Sequence, residues 1–246
     1  MTALLSVNGI RVDFGGVRAV DDVSLDIKEG RLYGVVGPNG SGKTTLVNAI
    51  SGIGPMAAGT ISLGGADITR LPVHARARLG LARTFQLIRL LPALTVRENV
   101  QLAADRLGAS PPDRLHGWFG ASPAVNVTLE RVGLSGVASR RVDTLPYGTQ
   151  RRVEIARALV GRPRILLLDE PVAGMNKHER EEIAATIRRL ADEGLTQLII
   201  EHDLRLLLRM CDELIVMNHG KCLAQGEPKA TAALPIVQQA YLGGRS

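Results

Sequence analysis

The sequence predicts an α/β fold, built from a mainly parallel sheet, an antiparallel β layer at the N-terminal side and an inserted helical segment. Alternating apolar and polar residues near the N-terminus indicate half-buried strands, whereas short, fully apolar runs further along indicate buried strands. These runs alternate with helical patterns, which is typical of a parallel sheet. The chain has 246 residues, of which 45% are hydrophobic and 22% charged, so we expect a sizeable core.

Two antiparallel strands and a central strand are predicted for the first forty residues. Ile10, Val12 and Phe14 alternate with charged residues, and the alternation returns over residues 23–27. A Gly-Gly pair at 15–16 supplies the turn between the two runs. The next run, RLYGVVG, is apolar on both faces, as expected for a strand covered by helices.

A phosphate-binding loop follows the central strand. The stretch GVVGPNGSGKTTL fits G-x-x-x-x-G-K-[ST] and opens a helical pattern that ends near Gly52; a chance glycine-rich turn is the alternative. Glycines let backbone N–H groups face phosphate oxygens, and the helix N-terminus adds partial positive charge. Lys43 can reach the β- and γ-phosphates, and the Thr44 hydroxyl can ligate Mg²⁺. The residues predicted to bind nucleotide here are Gly37, Pro38, Asn39, Gly40, Ser41, Gly42, Lys43, Thr44 and Thr45.

Two further apolar runs deliver polar residues to strand ends. ILLLD ends at Asp169, at the edge where α/β sheets hold ligands. Asp169 can bind the Mg²⁺ shell, and Glu170 beside it can polarise a water molecule. QLIIE precedes His202, which can contact a γ-phosphate because both its neutral and charged forms donate hydrogen bonds. A solvated acidic turn and a structural histidine are the alternative interpretations.

The stretch from about residue 87 to 160 carries no strand signal. Helical patterns occupy residues 96–107 and 128–132, separated by the turn-rich stretches SPP and GWFGASP. In TLPYGTQRRVEIARAL a turn leads to a helical pattern from Val153 onward, without a nearby Ser, Asp or Asn cap. This helix is either a weakly capped surface helix or an anion site. We expect one domain, with its core at residues 1–86 and 161–246 and a helical subdomain at 87–160.

The amino-acid composition restricts the binding partners and the cellular compartment that can be expected for the protein. A net charge of +6 indicates an anionic partner (nucleotide, nucleic acid or the inner membrane face) or simply a basic surface. Aromatic residues make up 3% of the chain, which excludes widespread stacking on nucleic-acid bases. No apolar run approaches the roughly 20 residues that span a bilayer, and no secretory signal opens the sequence. Cys211 and Cys222 are expected to be reduced thiols in a cytoplasmic protein.

The order of the motifs GPNGSGKT, RTFQ, LPYGTQRRVEIARAL, ILLLDEP and IIEHD resembles the ATP-binding subunit of ABC transporters over essentially the whole chain. FGGVRAV, ARTFQLIRLL, LTVRENV, DEPVAGMN and QQAYLG look most like the ATPase subunits of branched-chain (hydrophobic) amino acid uptake systems. The resemblance implies a RecA-like P-loop core that binds ATP and Mg²⁺ and hydrolyses ATP. It also implies a second ATPase subunit, identical or different, and transmembrane permease subunits, with a substrate-binding protein as an indirect partner. The chain would then lie peripherally on the cytoplasmic side of the cell membrane, with no nucleic acid bound.

Roles for single residues also follow from the resemblance. Phe14 would stack on adenine, unless it is a core residue that ends a strand. Gln86 would touch Mg²⁺ or the attacking water, Glu170 would be the general base and His202 would sense the γ-phosphate. The segment GMN at 174–176 would cross to the partner subunit at the dimer interface.

The signature motif departs from the pattern of the family. In the resemblance, the N-terminus of the signature helix faces the γ-phosphate of ATP on the opposite subunit, through Tyr147, Gly148 and Thr149. The common motif Leu-Ser-Gly-Gly-Gln supplies a serine hydroxyl, but Pro146 stands at the serine position. Proline offers neither a hydroxyl nor an N–H, so Gly148 and neighbouring backbone donors, with Thr149, would make the contact.

Several alternatives stay open at the level of the whole chain. Residues 86–99 are either a docking surface for a permease helix or part of the subdomain core, where their leucines would be buried. The chain could also serve another ABC system such as lipopolysaccharide export, or be a soluble ABC ATPase that acts in assembly or regulation. The transported molecule is not encoded in these motifs, since selectivity lies in other subunits.

Overall fold

An antiparallel sheet forms the N-terminal side of the protein, for which a computed structural model describes residues 3–106 and 122–242. β1 (Ala3–Phe14) and β2 (Val17–Lys28) form the predicted hairpin, with the turn at 15–16. β4 (Ala58–Leu63) pairs with the other edge of β1, and β5 (Ala66–Asp67) extends the sheet to the order β2-β1-β4-β5. These last two strands were not predicted, because they are short and flanked by glycines.

A second, six-stranded sheet contains β3 (Leu32–Val36), which is the predicted central strand. Its order is β10-β9-β3-β8-β7-β6, and each pairing is parallel except that of β9 with β10. The mainly parallel α/β sheet is therefore confirmed. The bounds of the other strands are β6 (Leu81–Arg83), β7 (Ile165–Asp169), β8 (Thr196–Ile200), β9 (Glu213–Asn218) and β10 (Lys221–Gly226).

Helices cover the parallel sheet and continue to the C-terminal end of the described chain. The first, α1 (Lys43–Ser51), begins directly after the glycine-rich loop and ends at Gly52, as predicted. Cys211 and Cys222 are both free thiols, and burial raises the pKa of each. The other helices in this part are α2 (Val73–Arg78), α6 (Lys177–Asp192), α7 (Leu204–Met210), α8 (Pro228–Ala232) and α9 (Pro235–Leu242).

Between β6 and β7 the regular structure that is described is helical: α3 (Val96–Arg106), α4 (Pro123–Arg131) and α5 (Tyr147–Leu159). α5 begins at Tyr147, six residues before Val153, where the apolar periodicity of the sequence sets in, because its polar first turn has no such periodicity. The predicted turn SPP and most of GWFGASP lie outside the described residues. The inserted helical segment is confirmed, while the exact division of the domain into residues 1–86, 87–160 and 161–246 stays a prediction.

The parallel sheet separates two apolar clusters. Successive residues of one strand point to opposite faces, so Leu166 and Leu168 join the cluster that includes the inserted helices. Ile165 and Leu167 join the cluster under the antiparallel sheet. Both faces are covered, which explains the fully apolar runs in the sequence. No helix within residues 3–106 and 122–242 has the length and apolarity needed to cross a bilayer.

Candidate functional site

The glycine-rich loop at 37–42 joins the C-terminal end of β3 to the N-terminus of α1. Gly42 has φ +97°, and a Cβ built there would lie 2.3 Å from the carbonyl oxygen of Ala19. A Cβ on Gly37 would lie 2.0 Å from the carbonyl oxygen of Met217. A side chain fits at neither position. Glycine is therefore required by the close approach of two neighbouring segments as well as by the turn.

Lys43 places its ammonium group at the centre of this loop. Nζ donates to the carbonyl oxygens of Gly37 (2.8 Å) and Pro38 (2.9 Å). The residue is 5% exposed, and burial lowers its pKa, while the nearby Glu170 raises it. A largely desolvated cation held by carbonyls is suited to attract phosphate oxygens, since electrostatic attraction is stronger away from water.

A cleft of about 630 Å³ runs from this loop to the ends of β7 and β8. It brings together predicted residues from four separate segments of the chain. Ala19 also lines it, at the side of β2, and was not predicted because a lone alanine carries no functional signal. The lining residues are Ala19, Asn39, Gly40, Ser41, Gly42, Lys43, Thr44, Thr45, Gln86, Glu170 and His202.

Glu170 lies between two of the predicted side chains at the mouth of the cleft. Gln86 donates from Nε2 to Oε2 of Glu170 at 3.0 Å, and Nε2 of His202 lies 2.6 Å from Oε1. Glu170 has φ +45°, the left-handed region that non-glycine residues rarely adopt. Such strain is found at functional sites, where the surroundings hold it. The carboxylate is thus oriented toward the cleft, where it can accept a proton from a water molecule.

Asp169, the last residue of β7, is buried and does not line the cleft. Its Oδ2 accepts a hydrogen bond of 2.7 Å from Nη2 of Arg83, which also donates to the side-chain oxygen of Asn48 on α1. Arg83 was missed, although an arginine three residues before Gln86 in the quoted RTFQ was the available signal.

The three predicted metal ligands fit Mg²⁺ by their donor chemistry. Thr44, Gln86 and Asp169 offer a hydroxyl, an amide oxygen and a carboxylate, and Mg²⁺ prefers oxygen ligands. No group of three or more His, Cys, Asp and Glu side chains suited to a metal occurs in the described part of the chain.

Glu201 was not singled out as a functional residue, although it precedes His202 in the motif. Its carboxylate accepts the backbone N–H of Val172 (3.2 Å) and that of His202 (3.3 Å). Burial raises its pKa, and the negative charge of Glu170 acts in the same direction. Glu201 thereby ties the segment after β7 to the segment after β8.

Phe14 and the leucines after Gln86 lie outside the cleft. Phe14 ends β1 and is 51% exposed, so the alternative of a buried core residue was wrong. Leu87 and Leu91 are 74% and 47% exposed, whereas Leu90 packs against the core. The core interpretation therefore holds for Leu90, while docking of a permease helix on residues 86–99 stays a prediction.

The start of α5 carries Tyr147, Gly148 and Thr149, which do not line the cleft. Pro146 precedes the helix and provides no side-chain cap, as expected. The N-terminus is not bare, however, because the N–H of Gly148 donates to Oε1 of Glu179 at 3.3 Å. Glu179 also forms the capping box of α6 with Asn176.

Comparison with known proteins gives consistent similarities over the whole chain. Residues 20–173 match the family described as ABC transporter. The chain is 41% identical to the high-affinity branched-chain amino acid transport ATP-binding protein BraF of Pseudomonas aeruginosa, over 98% of both chains. It is 40% identical to the corresponding protein LivG of Escherichia coli K12, again over 98% of each. The solved ADP conformation of MJ1267, an ATP-binding cassette of an ABC transporter, superposes with a TM-score of 0.87 at 33% identity, covering 99% of this chain and 100% of that one.

Proposed function

Because this chain belongs to the ABC transporter family, we propose that it is the ATP-hydrolysing subunit of an importer for branched-chain or other hydrophobic amino acids. The observation that carries the proposal is the position of Glu170, between Gln86 and His202 and beside the phosphate loop. The amino acid class rests on the relatives, which are ATP-binding proteins of branched-chain amino acid transport. They also favour this system over lipopolysaccharide export or a soluble assembly factor.

Each residue of the cleft has a separate role in ATP hydrolysis. The loop amides and Lys43 bind the phosphates, and Glu170 accepts a proton from the attacking water. His202 donates a hydrogen bond to the γ-phosphate, and its contact with Glu170 holds the two side chains in one orientation. Thr44, Gln86 and Asp169 would hold Mg²⁺, which would supply positive charge against the β- and γ-phosphates. Phe14 is placed to stack on the adenine, because its ring is exposed at the end of β1.

A second ATPase subunit would complete each site. Tyr147, Gly148 and Thr149 start α5 and are not part of the cleft of their own chain, which supports a role for them in the cleft of a partner. The partner is a second copy or a related chain, and permease subunits would hold the pair at the cytoplasmic side of the membrane. A substrate-binding protein would act through the permease.

The proposal is tested with Glu170→Gln and Lys43→Ala, by light scattering with and without ATP and by hydrolysis assays of the wild-type protein and both variants. Glu170→Gln should bind ATP and shift from monomer to dimer. Its rate of ATP hydrolysis should fall by about 10²-fold or more, because the base is lost. Lys43→Ala should bind ATP weakly and stay monomeric. Glu181→Gln, an exposed glutamate on α6, is the matched control and should behave as wild type. Turnover of Glu170→Gln within a few-fold of wild type would exclude Glu170 as the base.

The transport role has its own test. Co-expression with candidate permease subunits should give a complex that takes up a branched-chain amino acid in an ATP-dependent way, and Glu170→Gln should abolish this uptake. Purification of the active ATPase with no membrane protein attached, from cells that contain the permease, would favour a soluble factor.

A further inference from the structure

Arg151 is the largest fully buried side chain in the described part of the protein, and it does not line the nucleotide cleft. It lies on α5, four residues after Tyr147. We propose that Arg151, together with Glu154, is a positioning residue that fixes the backbone at Gln86 to the signature helix α5. The ATP site of one chain is thereby coupled to the site that the same chain completes in its partner. The inference rests on the proposed function, since it needs two ATP sites shared between two chains.

The guanidinium of Arg151 holds two successive carbonyl groups. Nη1 donates to the oxygen of Phe85 and Nη2 to the oxygen of Gln86, both at 2.7 Å. A planar guanidinium presents its donors in a fixed fork, so the two carbonyls are held in one relative orientation. Lysine, a single point charge on a flexible stem, cannot hold both in this way.

Glu154 completes a clamp on the same segment. One carboxylate oxygen pairs with Nη1 of Arg151, and the other accepts the backbone N–H of Phe85 at 3.4 Å. Phe85 is therefore held at its N–H and at its carbonyl by two side chains of one helix. Glu154 is only 6% exposed, and this burial raises its pKa.

Each end of this arrangement reaches a different ATP site. On one side, the amide of Gln86 contacts Glu170 in the cleft of its own chain, at 3.0 Å. On the other side, Nη2 of Arg151 lies 3.4 Å from the hydroxyl of Tyr147, at the start of α5. Arg151 lies four residues after Tyr147 on the same continuous helix, about 6 Å along its axis at 1.5 Å per residue. Movement of the Gln86 backbone must therefore move the helix start that would face the partner's ATP.

A purely structural role does not account for a charged pair at this place. Burying two charges carries a large desolvation cost. Replacing a buried ion pair with apolar residues of similar volume often leaves the stability of a protein unchanged or increases it. Here the charges are used to hold three backbone groups of the Gln86 segment. Their arrangement serves to set the position of that segment relative to α5.

The test compares Arg151→Lys and Glu154→Gln with wild type in the permease-bound complex, by the ATP dependence of hydrolysis. Two coupled sites allow a Hill coefficient of up to about 2, and we expect a wild-type value well above 1. Arg151→Lys should bring it to about 1, while the affinity of the isolated chain for a fluorescent ATP analogue changes less than about threefold. Glu154→Gln keeps the two arginine bonds to carbonyls and should give an intermediate value. Arg152→Lys is the matched control, since Arg152 donates to the hydroxyl of Thr149 instead, and should keep the wild-type value.

The outcomes separate this inference from the function on which it rests. A wild-type Hill coefficient in both clamp variants, with folding confirmed by circular dichroism, overturns the coupling and leaves the ATPase role intact. A wild type that hydrolyses ATP with a Hill coefficient of 1 also overturns the coupling. A wild type that neither binds nor hydrolyses ATP contradicts the proposed function itself. If Arg151→Lys does not fold, the test rests on Glu154→Gln. A wild-type Hill coefficient in that variant then overturns the coupling.

Discussion

The carboxylate of Glu179 lies at the N-terminus of α5, where the proposed function requires a phosphate of the ATP bound by the partner subunit. Its Oε1 accepts the N–H of Gly148 at 3.3 Å, and a Cβ built on Gly148 would lie 3.2 Å from its Cγ. A phosphate oxygen of the partner's ATP and this carboxylate cannot both accept the same N–H without strong repulsion between their charges. Glu179 must therefore turn away before the shared site closes.

Removing this carboxylate should make closure easier. In a Glu170→Gln background, Glu179→Ala should lower the ATP concentration for half-maximal dimerisation roughly threefold to tenfold, about the value of one partly exposed hydrogen bond. Light scattering at a series of ATP concentrations measures the concentration at which half of the protein is dimeric. Glu181→Ala, on the same helix and exposed, controls for the change in charge, and thermal melts report the lost cap of α6. An equal or higher ATP requirement in Glu179→Ala would show that the contact does not compete with nucleotide.

The residues that line the cleft were predictable, whereas those that hold them were not. The phosphate loop, Glu170 and His202 stand in local patterns whose spacing reflects their chemistry. Arg83, Arg151 and Glu201 act on backbone groups or on side chains far away in the chain, and a sequence does not show which carbonyl a buried arginine will reach. Each of the three lies next to a predicted motif or within one.

At the level of elements, α2 supports the helix of the phosphate loop. Arg76 on α2 is almost fully buried, and its Nη1 donates to the carbonyl oxygens of Ala49 and Ile50, at 2.7 Å each. Its other nitrogens donate to Leu71 and Thr69. These groups satisfy the last carbonyls of α1, and the positive charge faces the negative end of the helix dipole.

We expect Arg76→Met to lower the free energy of unfolding by about 2 to 4 kcal/mol, because several buried carbonyls would lose their donor. Urea denaturation followed by circular dichroism measures the change. Arg78→Met, on the same helix but exposed, should shift it by less than about 0.5 kcal/mol. If Arg76→Met changed the free energy of unfolding by less than about 0.5 kcal/mol as well, water molecules would have to replace the guanidinium as donors to these carbonyls.

The type of most long elements was predicted, and several boundaries were not. Fully apolar runs identified β3, β7 and β8, because strands covered on both faces have no polar side. β6 escaped notice since it has only three residues, of which one is the arginine that pairs with Asp169. The first turn of α5 gives no periodic signal, because Gly148 and its polar neighbours precede the apolar positions that begin at Val153.

At the scale of the whole molecule, the exposure of Leu87 and Leu91 supports the prediction that residues 86–99 dock a permease segment. They flank Arg89 in the sequence, and Arg89 helps to line a cleft of about 240 Å³, together with Arg83, Phe85, Ala103, Glu154, Arg157 and Ala158. Apolar side chains beside a basic cleft can anchor a helix that carries an acidic residue.

The double variant Leu87→Asp/Leu91→Asp should therefore reduce co-purification with the permease by more than about tenfold, because two apolar anchors are lost. ATP binding by the isolated chain should be unchanged. Val127→Asp, exposed on α4, is the control and should co-purify normally. Normal recovery of the permease with the double variant, or crosslinks that all map elsewhere, would exclude this surface.

The strand order also has a consequence for the protein while it is being made. In the parallel sheet, β8 lies between β3 and β7, and β6 is attached only through β7. A ribosome releases β3 and β6 early, yet neither β6 nor β7 can be joined to β3 before residue 200 has emerged. At about 5 to 20 residues per second, this delay lasts roughly ten seconds. Throughout it, β3 also lacks both of its neighbours, β8 and β9, so the phosphate loop and Gln86 can reach their final places only after most of the chain has been made.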